Sequence, residues 1–324
     1  MKLLKLVPDN TNIDFMKWRN LALILSIIVT AAAIALVFTR GLNLGIDFVG
    51  GQEVKVTFSA PPNLDELRDR VDSVTGGGAS LQEFGAPNVI SIRTPLPEGG
   101  ENAATQAASR IRATIVEGHP DARFDAVETV SGKVSEELFR SGSLAVFLAM
   151  LGIAAYIWIR FEWQFGVGAL VTLFHDVWMT MGFFSLTQLE FNLNVIAAVL
   201  TIVGYSLNDT VVIYDRIREN LRKYRKMEIV PLLNLSLNET LSRTMVTSLS
   251  ILLALLALLL LGPDVIFGLT VAIFVGIFVG TYSSIYISSP ILVWLRVTTD
   301  SFRPKDPVSR SERLRNEGYD GAQV

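Results

Sequence analysis

Cysteine is absent from the 324 residues, so no disulfide can staple any part of the fold. Histidine is confined to His119 and His175, and nothing around His119 has the spacing of a metal site or a catalytic triad. The most informative absence is local. No Asp, Glu, Lys or Arg occurs between Arg19 and Arg40, Arg140 and Arg160, Glu190 and Asp209, Arg243 and Asp264, or Asp264 and Arg296. Between Glu162 and Glu190 the ionisable side chains are His175 and Asp176 alone. An ordinary soluble protein is thereby excluded, because its buried helices rarely give so many long uncharged runs.

What fills those runs is apolar. About 18 such residues let a helix cross roughly 30 Å of hydrocarbon. The pattern predicts six transmembrane helices, at 20–39, 142–160, 166–186, 192–213, 243–261 and 267–295. The first resembles a secretory leader in having Lys2, Lys5, Lys17 and Arg19 before it. Its apolar run is longer than a typical leader core and more spans follow, so it is expected to stay as an anchor. Short loops rich in Lys and Arg remain in the cytoplasm. That rule places the N-terminus (1–19), the basic loop at 214–242 with Arg216, Arg218, Arg222, Lys223, Arg225 and Lys226, and the tail at 296–324 on one side. The short loops near Gln188 and Asp264 carry no Lys or Arg and fall on the other. Both termini are expected in the cytoplasm.

Residues 40–141 read as an acid-rich extracytoplasmic domain. Strand "EVKVTF", helix "NLDELRDRVDSV", strands "SLQEF" and "NVISIRT", helix "NAATQAASRIRATIVEG" and strand "RFDAVETV" follow in order, with "TGGG" and "PLPEGG" as breaks. The order β-α-β-β-α-β is that of a ferredoxin-like α+β unit, here between the first and second spans. Its entrance, "GLNLGIDFVGG", is glycine-rich without the lysine or following helix of a phosphate loop. A tight extended connection out of the bilayer is the expectation.

Charge inside a bilayer costs about 2.5–3.5 kcal/mol on insertion scales, so intramembrane ionisable groups mark function by default. Four stand out: His175 and Asp176 in the third span, Asp209 late in the fourth and Arg243 at the head of the fifth. Asp209 is expected roughly 6 Å inside the cytoplasmic boundary, at a depth comparable to Arg243, with Tyr205 one turn away and Arg216 an alternative partner. Burial and a nearby cation act in opposite senses on a carboxyl. Two readings therefore stand at this level: a proton-exchanging acid with a movable counter-charge, or a static ion pair that fixes helix packing. His175 suits proton shuttling. As i,i+1 neighbours, His175 and Asp176 are not expected to act on one proton. Ser206, Asn208, Thr210, Thr247 and Ser248 could hold relay water or bridge helices, and Gly276 and Gly280 form a close-packing G-x-x-x-G pair.

Four longer motifs carry a resemblance: "GLNLGIDFVGG", "IRFEWQFGVGALVTLFHDV", "IAAVLTIVGYSLNDTVVIYDRIREN" and "LNETLSRTMVTS". In this order they are similar to the SecF branch of the bacterial SecD/SecF family, within the resistance-nodulation-division (RND) superfamily, over residues of about 10 to 300. The resemblance implies a six-helix half of an RND-type bundle in the cytoplasmic (inner) membrane. It implies a partner SecD, the SecYEG channel and the SecA ATPase nearby, YajC and YidC as further associates, and preproteins as substrate. The activity implied is translocation driven by the proton-motive force, with neither an enzymatic step nor a cofactor nor a metal. Proton transfer is implied for Asp209 and Arg243, and His175 and Asp176 match the family's "HDV"; Ser206, Asn208 and Thr210 stay candidates for relay or support on their own chemistry. Six spans are also half of what two-fold pseudo-symmetric transporters contain, which requires a partner on physical grounds.

Three rivals remain. An intramembrane aspartyl protease would use Asp176 and Asp209 as its dyad, but "LNDT" is not "GxGD", and the two acids are expected at different depths. A stand-alone small-molecule exporter of the same superfamily would need a larger, duplicated extracytoplasmic region. A passive scaffold stabilising the Sec translocon would need no proton chemistry.

Overall fold

The computed structural model describes residues 11–97, 100–125 and 127–297. Lys2, Lys5, Ala126, part of the "PLPEGG" break and the tail beyond Val297 lie outside them. A 3-10 turn, Phe15–Trp18, capped by Asp14, leads into α1 (Arg19–Thr39). The expected extended connection contains one helical turn, α2 (Ile46–Val49), because Asp47 is drawn down to accept the Leu193 N–H at 2.9 Å. The turn ends on two glycines whose backbones need φ of +73° and +130°. A Cβ on Gly51 would stand 2.9 Å from the Thr94 carbonyl oxygen, and one on Gly50 would stand 3.2 Å from Gly132. The glycine pair is therefore a steric requirement where the chain leaves the bundle for the sheet.

The domain then runs β1 (Gly51–Thr57), α3 (Leu64–Thr75), β2 (Ser80–Phe84), β3 (Ala86–Thr94), α4 (Gly100–Gly118), β4 (Arg123–Phe124) and β5 (Glu128–Val130). Asn63 caps α3 and Gly76 closes it in the left-handed region. The strands pair antiparallel in the order β2-β3-β1-β4, with β5 extending the β4 side of β1 through Gly51↔Val130. This is the ferredoxin-like arrangement. Alternating Val54, Val56, Ile90 and Ile92 meet Leu67 and Val71 of α3 and Ile111 and Ile115 of α4. One sheet face and two amphipathic helices thus close a single core.

The membrane part is built from α1, α5 (Gly132–Arg160), α6 (Trp163–Thr187), α7 (Leu193–Lys223), α8 (Ile229–Leu261) and the broken pair α9 (Phe267–Tyr286) and α10 (Ser288–Trp294). These give six helices long and apolar enough to span. Helices α6, α7 and α9 form the inner layer, and α1, α5 and α8 wrap outside it. Residues 214–242, read from charge as a loop, are mostly helix: α7 continues to Lys223 and α8 already starts at Ile229. Ile213, Ile217 and Leu221 face Leu232, Leu233 and Leu237, while Arg216 reaches Glu239 at 2.8 Å. Charge marks where lipid ends; an amphipathic helix carries on past that point. Arg243 consequently sits about four turns inside α8 rather than at its head. The last span breaks at Ile287, since Pro290 has no N–H to donate to Tyr286.

The α7–α9 crossing depends on small residues. A Cβ on Gly276 would lie 2.3 Å from Ile202, and one on Gly280 would touch Ser206 at 3.4 Å. Replacing Gly276 with Leu should force the inner helices apart and destabilise the bundle by about 1–3 kcal/mol. A lowered unfolding temperature of the detergent-purified protein is the expected result, and an unchanged one would refute the close crossing.

Candidate functional site

The inner layer holds two buried carboxylates. Asp209, at the middle of α7, is 4% exposed because the stripe Ile202, Ser206, Asp209 and Ile213 faces inward at helical spacing. Its partner is a hydroxyl: Ser248 Oγ on α8 donates to Oδ2 at 3.4 Å. Ser248 in turn accepts from Tyr205 Oη at 3.1 Å and lies 2.9 Å from Thr281 Oγ1 on α9. A hydroxyl has one hydrogen and two lone pairs, so Ser248 can donate to the acid and accept from the tyrosine at once. Three helices thereby converge on one carboxylate.

Asp176 of α6 is 1% exposed and better supplied. Ser206 of α7 and Ser283 of α9 both donate to Oδ2, the latter at 2.9 Å, and His175 Nδ1 lies 2.9 Å from Oδ1. Although adjacent helix positions do not share a face, the His175 and Asp176 side chains converge within the bundle interior. The imidazole also packs on Tyr282, whose hydroxyl lies 3.0 Å from Ser26 Oγ of α1. Ser206 stands one turn from Asp209, and Ser283 two residues from Thr281, so the two acids border the same α7–α9 seam. They make no hydrogen bond with each other and hold separate donor sets. A shared-proton protease dyad is not formed.

The remaining expected residues fall less centrally. Arg243 is exposed on α8 and its guanidinium makes no ion pair or hydrogen bond among the described residues. The antiparallel pairings Arg216–Glu239 and Asn220–Ser236 set it about one turn from Asp209, toward Lys223. Arg216, the alternative partner, is taken by Glu219 and Glu239. Asn208 points outward, Thr210 is buried beside Asp209, and Thr247 donates to the Arg243 carbonyl at 2.8 Å. Sequence reasoning missed Ser283, Thr281 and Tyr282. Their signal was a cluster of hydroxyls, "GTYSSIYISS", in an otherwise apolar span. Among the described residues no cluster suits a metal ion.

Two family descriptions match the chain: "Protein export membrane protein SecD/SecF, C-terminal" over residues 111–298 and "SecD/SecF GG Motif" over 35–62. The second covers the glycine pair whose geometry is given above. Protein translocase subunit SecF of Rickettsia felis is 43% identical over 290 residues, 89% of this chain and 94% of the relative. The protein of the same name from Pseudomonas aeruginosa is 44% identical over 294 residues, 90% of this chain and 94% of the relative. The crystal structure of SecDF, a translocon-associated membrane protein of Thermus thermophilus, superposes with a TM-score of 0.82 at 36% identity over 89% of this chain. SecDF in its super-membrane-facing form superposes with a TM-score of 0.65. This chain spans 39% of the SecDF chain. On these matches and this architecture, the chain belongs to the SecD/SecF family of protein export membrane proteins.

Proposed function

We propose that the chain is the SecF-type half of a protein-export motor in the bacterial cytoplasmic membrane. With a SecD-type subunit, beside SecYEG and SecA, it draws on the proton-motive force to promote preprotein translocation. The observation that carries this reading is Asp209, a carboxylate at the centre of an apolar bundle whose single partner is a rotatable hydroxyl. A carboxylate can accept about four hydrogen bonds. A carboxylate held through one rotatable hydroxyl can take up a proton without breaking a fixed ion pair. One charge moved through 100 mV is worth about 2.3 kcal/mol, enough to shift a helix equilibrium balanced within a few kcal/mol. Arg243 acts as the movable counter-charge, and His175, Asp176 and Ser206 hold the far side of the seam. Helices α6 and α7 carry both acids and join through a loop that touches the extracytoplasmic domain, which gives the charge change a path to the substrate side.

The partner is supported by what the outer surface exposes. Arg243 lies on a face of α8 that otherwise exposes Met245, Val246 and Leu249, and Asn208 on a face of α7 that exposes small residues. An exposed, unpaired arginine on a membrane helix is a natural contact for a neighbouring bundle that covers it.

Asp209→Asn should insert and co-purify with the SecD-type subunit yet lose the gradient-dependent part of export, measured as preprotein uptake into energised inverted vesicles. Full uptake would leave only the scaffold reading. Arg243→Lys keeps the charge but loses the planar fork, and uptake should fall severalfold. Normal uptake in that variant would demote Arg243 to a headgroup anchor. For topology, the chain offers a cysteine-free background. A single cysteine at Arg225 should react with an impermeant maleimide only from the cytoplasmic face, and one at Ser59 only from the outside. The reverse pattern would invert the assignment.

A further inference from the structure

A second group of ionisable side chains lies outside the membrane helices, where the domain sits on the bundle. The α6–α7 loop is fastened there from several directions. Gly45 N donates to the Phe191 carbonyl at 2.9 Å and Phe191 N to the Asn43 carbonyl at 2.8 Å, a short parallel bridge between the exit of α1 and the loop. Gln82 of β2 and Asn43 both donate to the Gln188 carbonyl, at 2.6 and 2.8 Å. Arg93 of β3 donates to the Leu44 carbonyl and to Asn43 Oδ1, each at 2.8 Å. Polar side chains thus tie sheet to bundle here.

Glu190 stands inside this junction. Its Oε1 lies where only glycine leaves space, since a Cβ on Gly45 would come within 2.6 Å of it. It borders a cavity of about 20 Å³, lined also by Gln82, Glu83, Ser91 and Asn192, which is room for about one water. Across the junction β1 brings Glu53, 3% exposed and bonded by Ser91 Oγ, and Lys55, whose Nζ is 3.4 Å from Glu53. From β3 comes Arg93, and from the loop itself Asn192. The other side of the cavity, Val265, Phe267 and Gly268, is uncharged.

We propose that Glu190 and Glu53 form a proton-binding carboxylate pair that latches the extracytoplasmic domain onto the α6–α7 loop, closed when the pair holds a proton. The two carboxylates repel each other at this half-buried junction, so a proton on Glu190 favours the closed arrangement. In the closed junction burial first, then the charge of Glu53, push the Glu190 carboxyl from its usual 4.5 up to about 7, against Arg93, Lys55 and a hydrogen bond from Asn192. Opening wets Glu190 and returns it to the ordinary range, so the closed form binds more protons. Closure is therefore fully favoured below the open-state value of about 4.5, weakens as pH rises toward about 7, and is flat above. An acidic exterior tightens the latch. The same loop ends α6 and begins α7, so latch and inner acids share two helices.

Hydrogen exchange of the full chain in lipid nanodiscs tests this, followed on peptides carrying the Gly45 and Phe191 amides and corrected for intrinsic rates. Protection of these amides should rise about tenfold per unit as pH falls from 6.5 to 5.5, and be level above pH of about 7.5. Glu190→Gln should hold high protection at every pH, and Glu53→Gln should move the onset of the rise to lower pH. Wild-type protection independent of pH, or a rise that survives in Glu190→Gln, would overturn the latch. Should Glu190→Gln fail to assemble, an unshifted Glu53→Gln profile would overturn it equally. No export step enters the measurement, so its failure leaves the proposed function standing, and loss of the Asp209 role leaves this profile unchanged.

Discussion

Hydrocarbon supplies no hydrogen bonds, so each polar group carried into it must find its partner on the protein. Backbone amides meet that demand by forming helices. Two aspartates meet it with hydroxyls, and the bundle interior follows from this. Asp176 is held by Ser206, Ser283 and His175, donors on three different helices, while Gly276 lets α9 approach α7 closely. Asp209 receives Ser248 alone. Hydroxyls differ from guanidinium groups as partners in one useful respect. A serine or threonine rotor can turn from donor to acceptor without moving the backbone, so the site survives a change in the acid's proton. A fixed Arg–Asp pair would resist it.

The same demand explains the junction above the bilayer. Helix α7 must start where water is scarce, and its first N–H groups are met by Asn192 from within and Asp47 from the glycine-rich exit of α1. That exit must therefore bend back onto the bundle before it enters the sheet. Gly50 and Gly51 make the reversal, with backbone angles and contacts that side chains would block. The family's glycine motif is thus tied to helix capping as well as to the steric limits at Gly50 and Gly51. One consequence is mechanical: the end of α6, the start of α7 and the exit of α1 share one set of hydrogen bonds, to which β2 and β3 add Gln82 and Arg93.

The architecture was largely legible in the sequence because its strongest signals are one-dimensional. Gaps between charges located six crossings, and period-two and period-3.6 patterns gave the order β-α-β-β-α-β. The failures were three-dimensional. Helix α7 outruns the apolar run that announced it, since Ile217 and Leu221 pack against α8 beyond the charges that seemed to end the span. Arg243 was expected beside Asp209 from depth alone; rotation about α8 turns Ser248 inward and Arg243 outward. His175 and Asp176 were separated on the helical wheel, a picture of Cα directions that ignores how long side chains converge. Ser283 and Thr281 went unread because hydroxyls in an apolar helix ordinarily satisfy their own backbone, as Thr281 also does toward Ile277.

Where Arg243 points bears on why this chain does not stand alone. A lone guanidinium on the outer face of α8, about one turn from a buried acid, has two ways to settle. It can reach the headgroups along its own stem, or it can be covered by protein. Asn208 discriminates between them, because its short amide lies on the outer face of α7 and lacks the stem that lets an arginine reach the headgroups. Along that face Ala197, Thr201 and Gly204 are exposed too, small residues where lipid contact would favour Leu or Ile, and a Cβ on Gly204 would meet open space. Close approach of a second helix accounts for small side chains, and a polar neighbour on it accounts for the amide. The SecDF chain, of which this one spans 39%, is long enough to hold such a second bundle. The inner acids of this half then lie one helix away from the proposed partner, near enough for a change of proton at Asp209 to be felt across the seam between the two.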